Sequence, residues 1–167
     1  MPSPINYYGR SKLQGESAIR QRLPDAHLIV RAGWMIGGGL DYDHKFVGKV
    51  VKQMRAGAPE LRAVPDKLGT LTAASLLAKF IITALNGRLT GTFHFCSAGV
   101  VSRFDVAQAI AELFSYQGKL VAVPSSLFPL SAPRPQSEGI ETIYSSVSGM
   151  VARPWRTDLS AYLAEFE

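Results

Sequence analysis

The apolar residues of this chain recur in two alternating patterns, one typical of helices and one typical of strands. The first pattern predicts a helix over residues 8–21, and Pro24 and Asp25 mark the turn that follows it. The strand predicted next, over residues 27–33, has a continuously apolar centre, which suits a parallel strand covered on both faces. Residues 34–39 then form a loop at the carboxyl end of that strand, where open α/β sheets bind ligands.

The same alternation continues through the rest of the chain. Further strands are predicted at residues 60–64, 91–97 and 119–123. Further helices are predicted at residues 43–56, 72–85, 102–114 and 157–166. Together these elements predict an α/β fold in which a small parallel or mixed sheet is flanked by helices.

Short polar residues mark the predicted helix starts, because their side chains can accept a hydrogen bond from a free backbone N–H. Asp43 and Thr72 stand at two of these starts, and Thr157 stands at the start of the last helix. Ser102 and Asp105 have the spacing of a capping box. Helix capping explains Thr72 fully, so we assign no chemistry to it.

The helix predicted over residues 43–56 is amphipathic. Its buried stripe is predicted to hold Phe46, Val47, Val50, Val51 and Met54. The opposite face carries Lys45, Lys49, Lys52 and Arg55. Such a row can meet phosphates, but it is more often a solvated helix face, and no aromatic residues are interleaved with it. The row therefore does not favour a nucleic-acid partner.

Composition indicates a globular protein. The 167 residues suffice for one domain with a real core, and 47% hydrophobic content with 19% charged content argues against a disordered chain. No apolar run is long enough to cross a bilayer and no signal peptide is evident, so we expect a cytoplasmic protein without membrane contact. The single cysteine, Cys96, excludes a disulfide framework and a cysteine-based zinc site, and no metal is predicted. A net charge of +5 suits nucleotides, but also a plain soluble surface.

One pair of residues near the start of the chain carries candidate chemistry. Tyr8 and Lys12 are four positions apart in the first predicted helix, so their side chains lie on one helix face. An ammonium group beside a phenol stabilises the phenolate, and such a tyrosine can exchange a proton with a carbonyl or alcohol oxygen near neutral pH. The same spacing is also common in pairs that are only solvated surface. The pair alone leaves both interpretations open.

The longer segment around this pair resembles a known family. Residues 4–16 read Pro-Ile-Asn-Tyr-Tyr-Gly-Arg-Ser-Lys-Leu-Gln-Gly-Glu. They are similar to the P-x-N-x-Y-G-x-[ST]-K-x-x-G-E segment of extended short-chain dehydrogenases/reductases, in particular dTDP-4-dehydrorhamnose reductases and their relatives. The resemblance implies that Tyr8 is the general acid/base. It also implies that Lys12 lowers the pKa of Tyr8 and holds the nicotinamide ribose of NADP or NAD.

Later segments follow the order of the same family and supply two substrate-binding candidates, Trp34 and Arg134. Trp34 falls in a match to the family's R-x-x-W, and packing is an equally good interpretation of it. Residues 132–135 match the family's A-x-R-P, in a loop of residues 124–139 that the resemblance places across a bound nucleotide sugar. An arginine between prolines is pre-positioned, and its planar fork suits a diphosphate, although a surface arginine is the alternative.

One part of the family's pattern is missing from these 167 residues. A dinucleotide site needs G-x-G-x-x-G or G-x-x-G-x-x-G between a strand and a helix, and Gly37-Gly38-Gly39 has neither spacing. We therefore interpret the chain as a single domain of two parts. Residues 1–36 are a remnant of a cofactor domain, and residues 37–167 are the sugar-nucleotide-binding part.

Three expectations follow from the missing half and from the resemblance. First, the chain should be inactive as a reductase on its own. The alternative is a non-catalytic sugar-nucleotide-binding module with a regulatory or oligomerisation role. Second, the apolar strand at residues 28–30 and the back of the first helix should be uncovered, so a homodimer or higher oligomer is expected to cover them. Third, a nucleotide sugar is the expected small-molecule partner.

Overall fold

Helices and short strands alternate through the chain. The computed structural model describes residues 2–142 and 151–166. Its helices are α1 (Tyr7–Arg22), α2 (Gly39–Tyr42), α3 (Phe46–Arg55), α4 (Ala74–Asn86), α5 (Arg103–Leu113) and α6 (Trp155–Leu163). Its strands are β1 (Leu28–Ala32), β2 (Trp34–Ile36), β3 (Glu60–Ala63), β4 (Leu68–Gly69), β5 (Leu71–Ala73), β6 (Gly91–Phe95), β7 (Val101–Ser102), β8 (Lys119–Ala122) and β9 (Ser137–Glu138).

The strands of the described residues form small sheets, most of them parallel. β1 pairs with β6, β2 with β5 and β3 with β8, each in parallel. β4 pairs in parallel with β9 and antiparallel with β7, which makes a mixed sheet of three strands. Parallel pairs with helices between them confirm the predicted α/β class.

The main core lies between α3, α5, α6 and strands β2, β3 and β5. Val51, Val106, Ile110 and Leu159 are completely buried there. The predicted stripe of α3 is confirmed, since Val47, Val50, Val51 and Met54 are buried and Phe46 is half-buried. This core fixes β2, α3 and α5, which are the elements that carry most of the site described below.

A smaller core holds β1 and β6 against α4. Phe80 and Phe93 are buried in it, and Leu28 and Val30 pack against it. The prediction that residues 28–30 lie uncovered is wrong in part, because Ile29 is buried and its two neighbours are half-buried. The free edge remains, since within residues 2–142 and 151–166 β1 pairs with β6 only.

One predicted loop and two predicted helix starts need correction. Residues 34–36 were expected in a loop but form strand β2, because they pair with β5. Thr72 lies in β5 and caps no helix; its hydroxyl accepts a hydrogen bond from the N–H of Gly33, which lies between β1 and β2, and donates one to Phe95 O at the end of β6. α6 begins at Trp155 after Pro154, so Thr157 is not its N-cap.

Two other predicted starts are closer to the structure. The capping box is confirmed, since Ser102 and Asp105 exchange hydrogen bonds with each other's backbone at the start of α5. The N-cap of α3 is Lys45 and not Asp43. Its carboxylate nevertheless accepts hydrogen bonds from Lys45 N at 2.8 Å and Gly48 N at 3.1 Å, so Asp43 still stabilises this helix start.

Candidate functional site

A cleft of about 890 Å³ opens between the start of α1, the ends of β2 and β4, the starts of α3 and α5, and the loop of residues 124–139. Three of the four predicted site residues line this cleft, namely Tyr8, Trp34 and Arg134. They come from distant parts of the chain and meet only in the fold. Lys12 is exposed on α1 and does not line the cleft.

Asn6 fixes Tyr8 at the mouth of the cleft. Its side-chain oxygen accepts a hydrogen bond from Gly9 N at 2.8 Å and so caps α1. Its side-chain nitrogen donates to Pro133 O at 3.0 Å, which joins the helix start to the loop that carries Arg134. The phenol of Tyr8 is 66% exposed, so it is open to a ligand in the cleft.

The loop of residues 124–139 is attached at several points to the opposite wall. Asp66 accepts hydrogen bonds from the backbone and hydroxyl of Ser125. The ammonium of Lys67 lies 3.5 Å from the carbonyl oxygens of Arg134 and Pro135. Because β9 also pairs with β4, the loop is held at both ends and Arg134 is pre-positioned. The Arg134 guanidinium lies 3.9 Å from the Glu138 carboxylate and is half exposed.

Trp34 is held by contacts on several sides. Its indole N–H donates to Glu138 Oε2 at 2.6 Å. The Cα of Gly69 lies so close that a methyl group there would come within 2.3 Å of the indole. The guanidinium of Arg103 stacks 3.8 Å from the ring centroid. Packing therefore explains much of Trp34, although part of the ring still lines the cleft.

Arg103 and Glu138 are site residues that the sequence reasoning missed. Arg103 is the first residue of α5, and its guanidinium lies between the rings of Trp34 and Phe46, 5.0 Å from the latter. Burial lowers the pKa of Arg103 from 12.5 to about 10, so it stays charged at neutral pH. A cation at a helix N-terminus opposes the helix dipole, and this mismatch is the signal that could have singled it out.

Behind the cleft, an ion pair attaches α1 to β1. Arg31 donates two hydrogen bonds to the Glu16 carboxylate, at 2.8 and 2.6 Å, and Arg20 donates a third at 2.6 Å. The hydrogen bond from Arg31 is the largest cause that holds the pKa of Glu16 below its ordinary value. None of the residues of α1 is buried, so this pair and the Asn6 contact are its main attachments.

The described residues do not fit a dinucleotide cofactor as a whole. Each of Gly37, Gly38 and Gly39 has a positive φ, but they lead into α2, which is only four residues long. A methyl group on Gly37 would come within 2.7 Å of Ala74, so close packing accounts for this glycine. In residues 2–142 and 151–166, no glycine-rich turn joins a strand to a long helix, so a pyrophosphate has no backbone cradle there.

Two further findings concern the described part of the chain. No group of three His, Cys, Asp or Glu side chains within it could hold a metal ion. None of its helices combines the length and apolar character that crossing a lipid bilayer requires. What the cleft does offer is a phenol and several cations among its lining residues.

Comparison with known proteins agrees with this geometry. The family model described as the RmlD substrate binding domain matches residues 1–167. The chain belongs to this family. The predicted resemblance to dTDP-4-dehydrorhamnose reductases is thereby confirmed.

Individual relatives are named dTDP-4-dehydrorhamnose reductase. A dTDP-4-dehydrorhamnose reductase of Mycolicibacterium smegmatis is 34% identical over 164 residues, which are 96% of this chain and 49% of the relative. The crystal structure of a dTDP-4-dehydrorhamnose reductase from Yersinia enterocolitica is 54% identical and superposes with a TM-score of 0.95 over 100% of this chain and 59% of that one.

A third relative was solved with a cofactor. The dTDP-4-dehydrorhamnose reductase of Bacillus anthracis, in complex with NADP, is 27% identical with a TM-score of 0.87, over 98% of this chain and 57% of that one. This RmlD substrate-binding domain thus spans about half the length of the curated relatives it matches. The fold and the family are therefore shared, while the relatives contain residues that have no counterpart among these 167.

Proposed function

We propose that this RmlD substrate-binding domain is the nucleotide-sugar-binding part of an NAD(P)-dependent sugar-nucleotide reductase of the dTDP-4-dehydrorhamnose type. In this proposal the cleft binds a nucleoside diphosphate sugar. Tyr8 delivers a proton to the substrate's carbonyl oxygen, with Lys12 as its charged neighbour. Such a protein acts on soluble substrates, and the cytoplasmic location expected from the sequence is part of the same proposal.

One observation carries the proposal. Tyr8, Trp34 and Arg134 are separated by up to about 126 positions in the sequence, yet all three line one cleft. A phenol at the mouth and a pre-positioned guanidinium on the loop supply a proton donor and an anion partner within one pocket. The cleft also has the size of ligand pockets in general, which run from about 300 to 1,000 Å³.

The chain alone is proposed to bind without reducing. The cofactor's pyrophosphate finds no cradle in the described residues, so we derive no hydride transfer within this chain. The second candidate function is a non-catalytic sugar-nucleotide-binding or regulatory module, and the same observation favours it. Both functions require the cleft to bind a nucleotide, and they differ in whether a partner restores the chemistry.

Separate calorimetric titrations with dTDP and with NADPH test the proposal. We expect dTDP to bind and NADPH not to bind. Arg134→Met should weaken dTDP binding about tenfold, because a charged hydrogen-bond partner is lost. Arg88→Met is the matched control, since Arg88 is exposed beyond the end of α4 and does not line the cleft.

Each other outcome has a definite meaning. Binding of NADPH to the isolated chain would contradict the proposed division of labour. Absence of dTDP binding would remove the substrate assignment. If dTDP binds, Tyr8→Phe separates the two candidates in an assay with a cofactor-binding partner chain. Loss of turnover with unchanged dTDP affinity supports the reductase, and no turnover by either form supports the binding module.

A further inference from the structure

Arg103 is a charged side chain that forms no ion pair with any described residue. Its guanidinium stacks between Trp34 and Phe46, with ring centroids at 3.8 and 5.0 Å. In the described part of the chain, no carboxylate lies within ion-pair distance and no acceptor hydrogen-bonds to this side chain. A guanidinium has five N–H donors, and stacking uses its faces but leaves these donors unsatisfied.

The nearest acid is already engaged. Glu138 accepts the Trp34 indole N–H at 2.6 Å through one oxygen, and its other oxygen faces the guanidinium of Arg134 at 3.9 Å. The second acid of the cleft, Asp43, accepts two backbone N–H groups and the Tyr162 hydroxyl. Neither carboxylate forms an ion pair or a hydrogen bond with Arg103, although the charge of Glu138 stabilises the cation at longer range.

The surroundings add positive charge. Lys45, Lys67 and Arg134 line the same cleft as Arg103. Burial lowers the pKa of Arg103, and the negative charge of Glu138 opposes that shift without forming an ion pair or hydrogen bond with the guanidinium. Four cations that face two engaged carboxylates make a cleft suited to a ligand with more than one negative charge.

We propose that Arg103 binds the phosphoryl oxygens of a nucleoside diphosphate through its N–H edge, with Trp34 and Phe46 holding the guanidinium in place. This inference rests on the proposed function and names the residue that recognises the diphosphate. It also gives Trp34 a role as a positioning residue, which stacks on the arginine. Arg134 lines the same cleft from the loop of residues 124–139.

The test uses the full chain and a series of ligands. Thymidine, dTMP, dTDP and inorganic pyrophosphate are titrated against the wild type, Arg103→Met, Arg103→Lys and the Arg88→Met control. Affinity of the wild type should rise with each phosphate. Arg103→Met should weaken dTDP and pyrophosphate binding about ten- to hundredfold and leave any thymidine binding nearly unchanged. Arg103→Lys, which keeps the charge without the fork, should fall between.

The outcomes separate this inference from the proposed function. Binding of dTDP that is equal in wild type and Arg103→Met would overturn the inference and leave the function standing. Binding of pyrophosphate that depends on Arg103, without binding of any thymidine nucleotide, would overturn the function and support the anion site. Binding of neither ligand would overturn both. If Arg103→Met fails to fold, equal dTDP affinity in wild type and Arg103→Lys would overturn bidentate recognition.

A second readout is built into the chain. Its two tryptophans are Trp34 and Trp155. In a Trp155→Phe background the fluorescence comes from Trp34, whose ring contacts the Arg103 guanidinium. Pyrophosphate should change this fluorescence at the concentrations that the titration gives. An unchanged signal at saturation would contradict binding at Arg103.

Discussion

At the scale of single residues, Trp34 connects several of the residues that form the cleft. Its indole lies against Gly69, donates to Glu138 and carries the guanidinium of Arg103. Any change that moves the ring also moves the cation stacked on it. Gly69 is thus a residue of the site, although it has no side chain of its own.

Replacing Gly69 by alanine should displace Trp34. The added methyl group would lie within 2.3 Å of the indole, so the ring must move and the bond to Glu138 should break. We expect a loss of about 1–3 kcal/mol in the free energy of unfolding, as for other overpacked sites, together with weaker dTDP binding. Urea denaturation and titration measure the two effects.

Gly15→Ala is the matched control for this substitution. Gly15 lies in α1 with no atom within 4 Å of the position where a methyl group would stand. Alanine is a better helix former than glycine, so stability should rise by about 0.5–1 kcal/mol. Equal effects of the two substitutions would show that Gly69 is not required for packing against Trp34.

Local signals and long-range contacts differ in how well the sequence reveals them. The capping box of Ser102 and Asp105 was predictable, because both partners lie within one helical turn. Thr72 looked like a cap for the same local reason, but its partners, Gly33 and Phe95, are 39 and 23 positions away. Arg103 was missed because the aromatic rings around it are brought together only by the fold.

At the scale of elements, α1 is attached to the rest of the described structure through polar contacts and not through a buried apolar face. It buries no residue, and the Glu16–Arg31 pair links it to β1. The helix carries both Tyr8 and Lys12, so the orientation of the candidate acid/base depends on this pair. A charged attachment of this kind responds to pH, whereas the apolar core does not.

Glu16→Gln should be destabilising near pH 7, by about 1 kcal/mol, and the effect should fade in acid. The pKa of folded Glu16 lies below its ordinary value of 4.5, so its contribution to stability is complete above that pH. It is lost as the pH falls through the lowered pKa. Urea denaturation of wild type and variant at about pH 7 and pH 3 measures this.

The exposed pair of Glu60 and Arg62 provides the control for this prediction. Glu60→Gln should change stability by less at either pH, because a solvent-exposed ion pair contributes little. A Glu16→Gln effect that is as large in acid as at neutral pH would contradict the role of the charge.

Elements differ in how far the sequence could predict them. Helix α3 was predictable because its apolar stripe repeats over three turns. Strand β2 was taken for a loop, since three residues are too few to show a period and the pairing with β5 is distant in sequence. The cleft itself could be foreseen only in part, through the family order of Tyr8, Trp34 and Arg134.

At the scale of the whole molecule, the described structure leaves a strand edge and several apolar side chains exposed. β1 has a free edge in the described structure, and α1 and α4 expose Ile19, Ile82 and Leu85. An unpaired strand edge and exposed apolar side chains each favour association. The cleft lies near the start of α1, so association through β1 and α1 would also fix the helix that carries Tyr8.

The chain is therefore predicted to form a homodimer or larger oligomer. Sedimentation velocity at micromolar concentration should show species above the monomer. Ile19→Lys should shift them towards the monomer by placing a charge on the exposed face of α1. Leu113→Lys on α5 is the control, since Leu113 is also an exposed apolar residue, but of another helix. A wild-type chain that sediments as a monomer would remove this prediction.

The double contact of Asn6 has a consequence for how samples age. Its amide oxygen accepts from Gly9 N, and its amide nitrogen donates to Pro133 O. Hydrolysis of that amide to a carboxylate would keep the acceptor and destroy the donor. A stored preparation would then retain its helical spectrum while the hydrogen bond between the start of α1 and the loop of residues 124–139 is lost, so a fading affinity need not mean that the protein has unfolded.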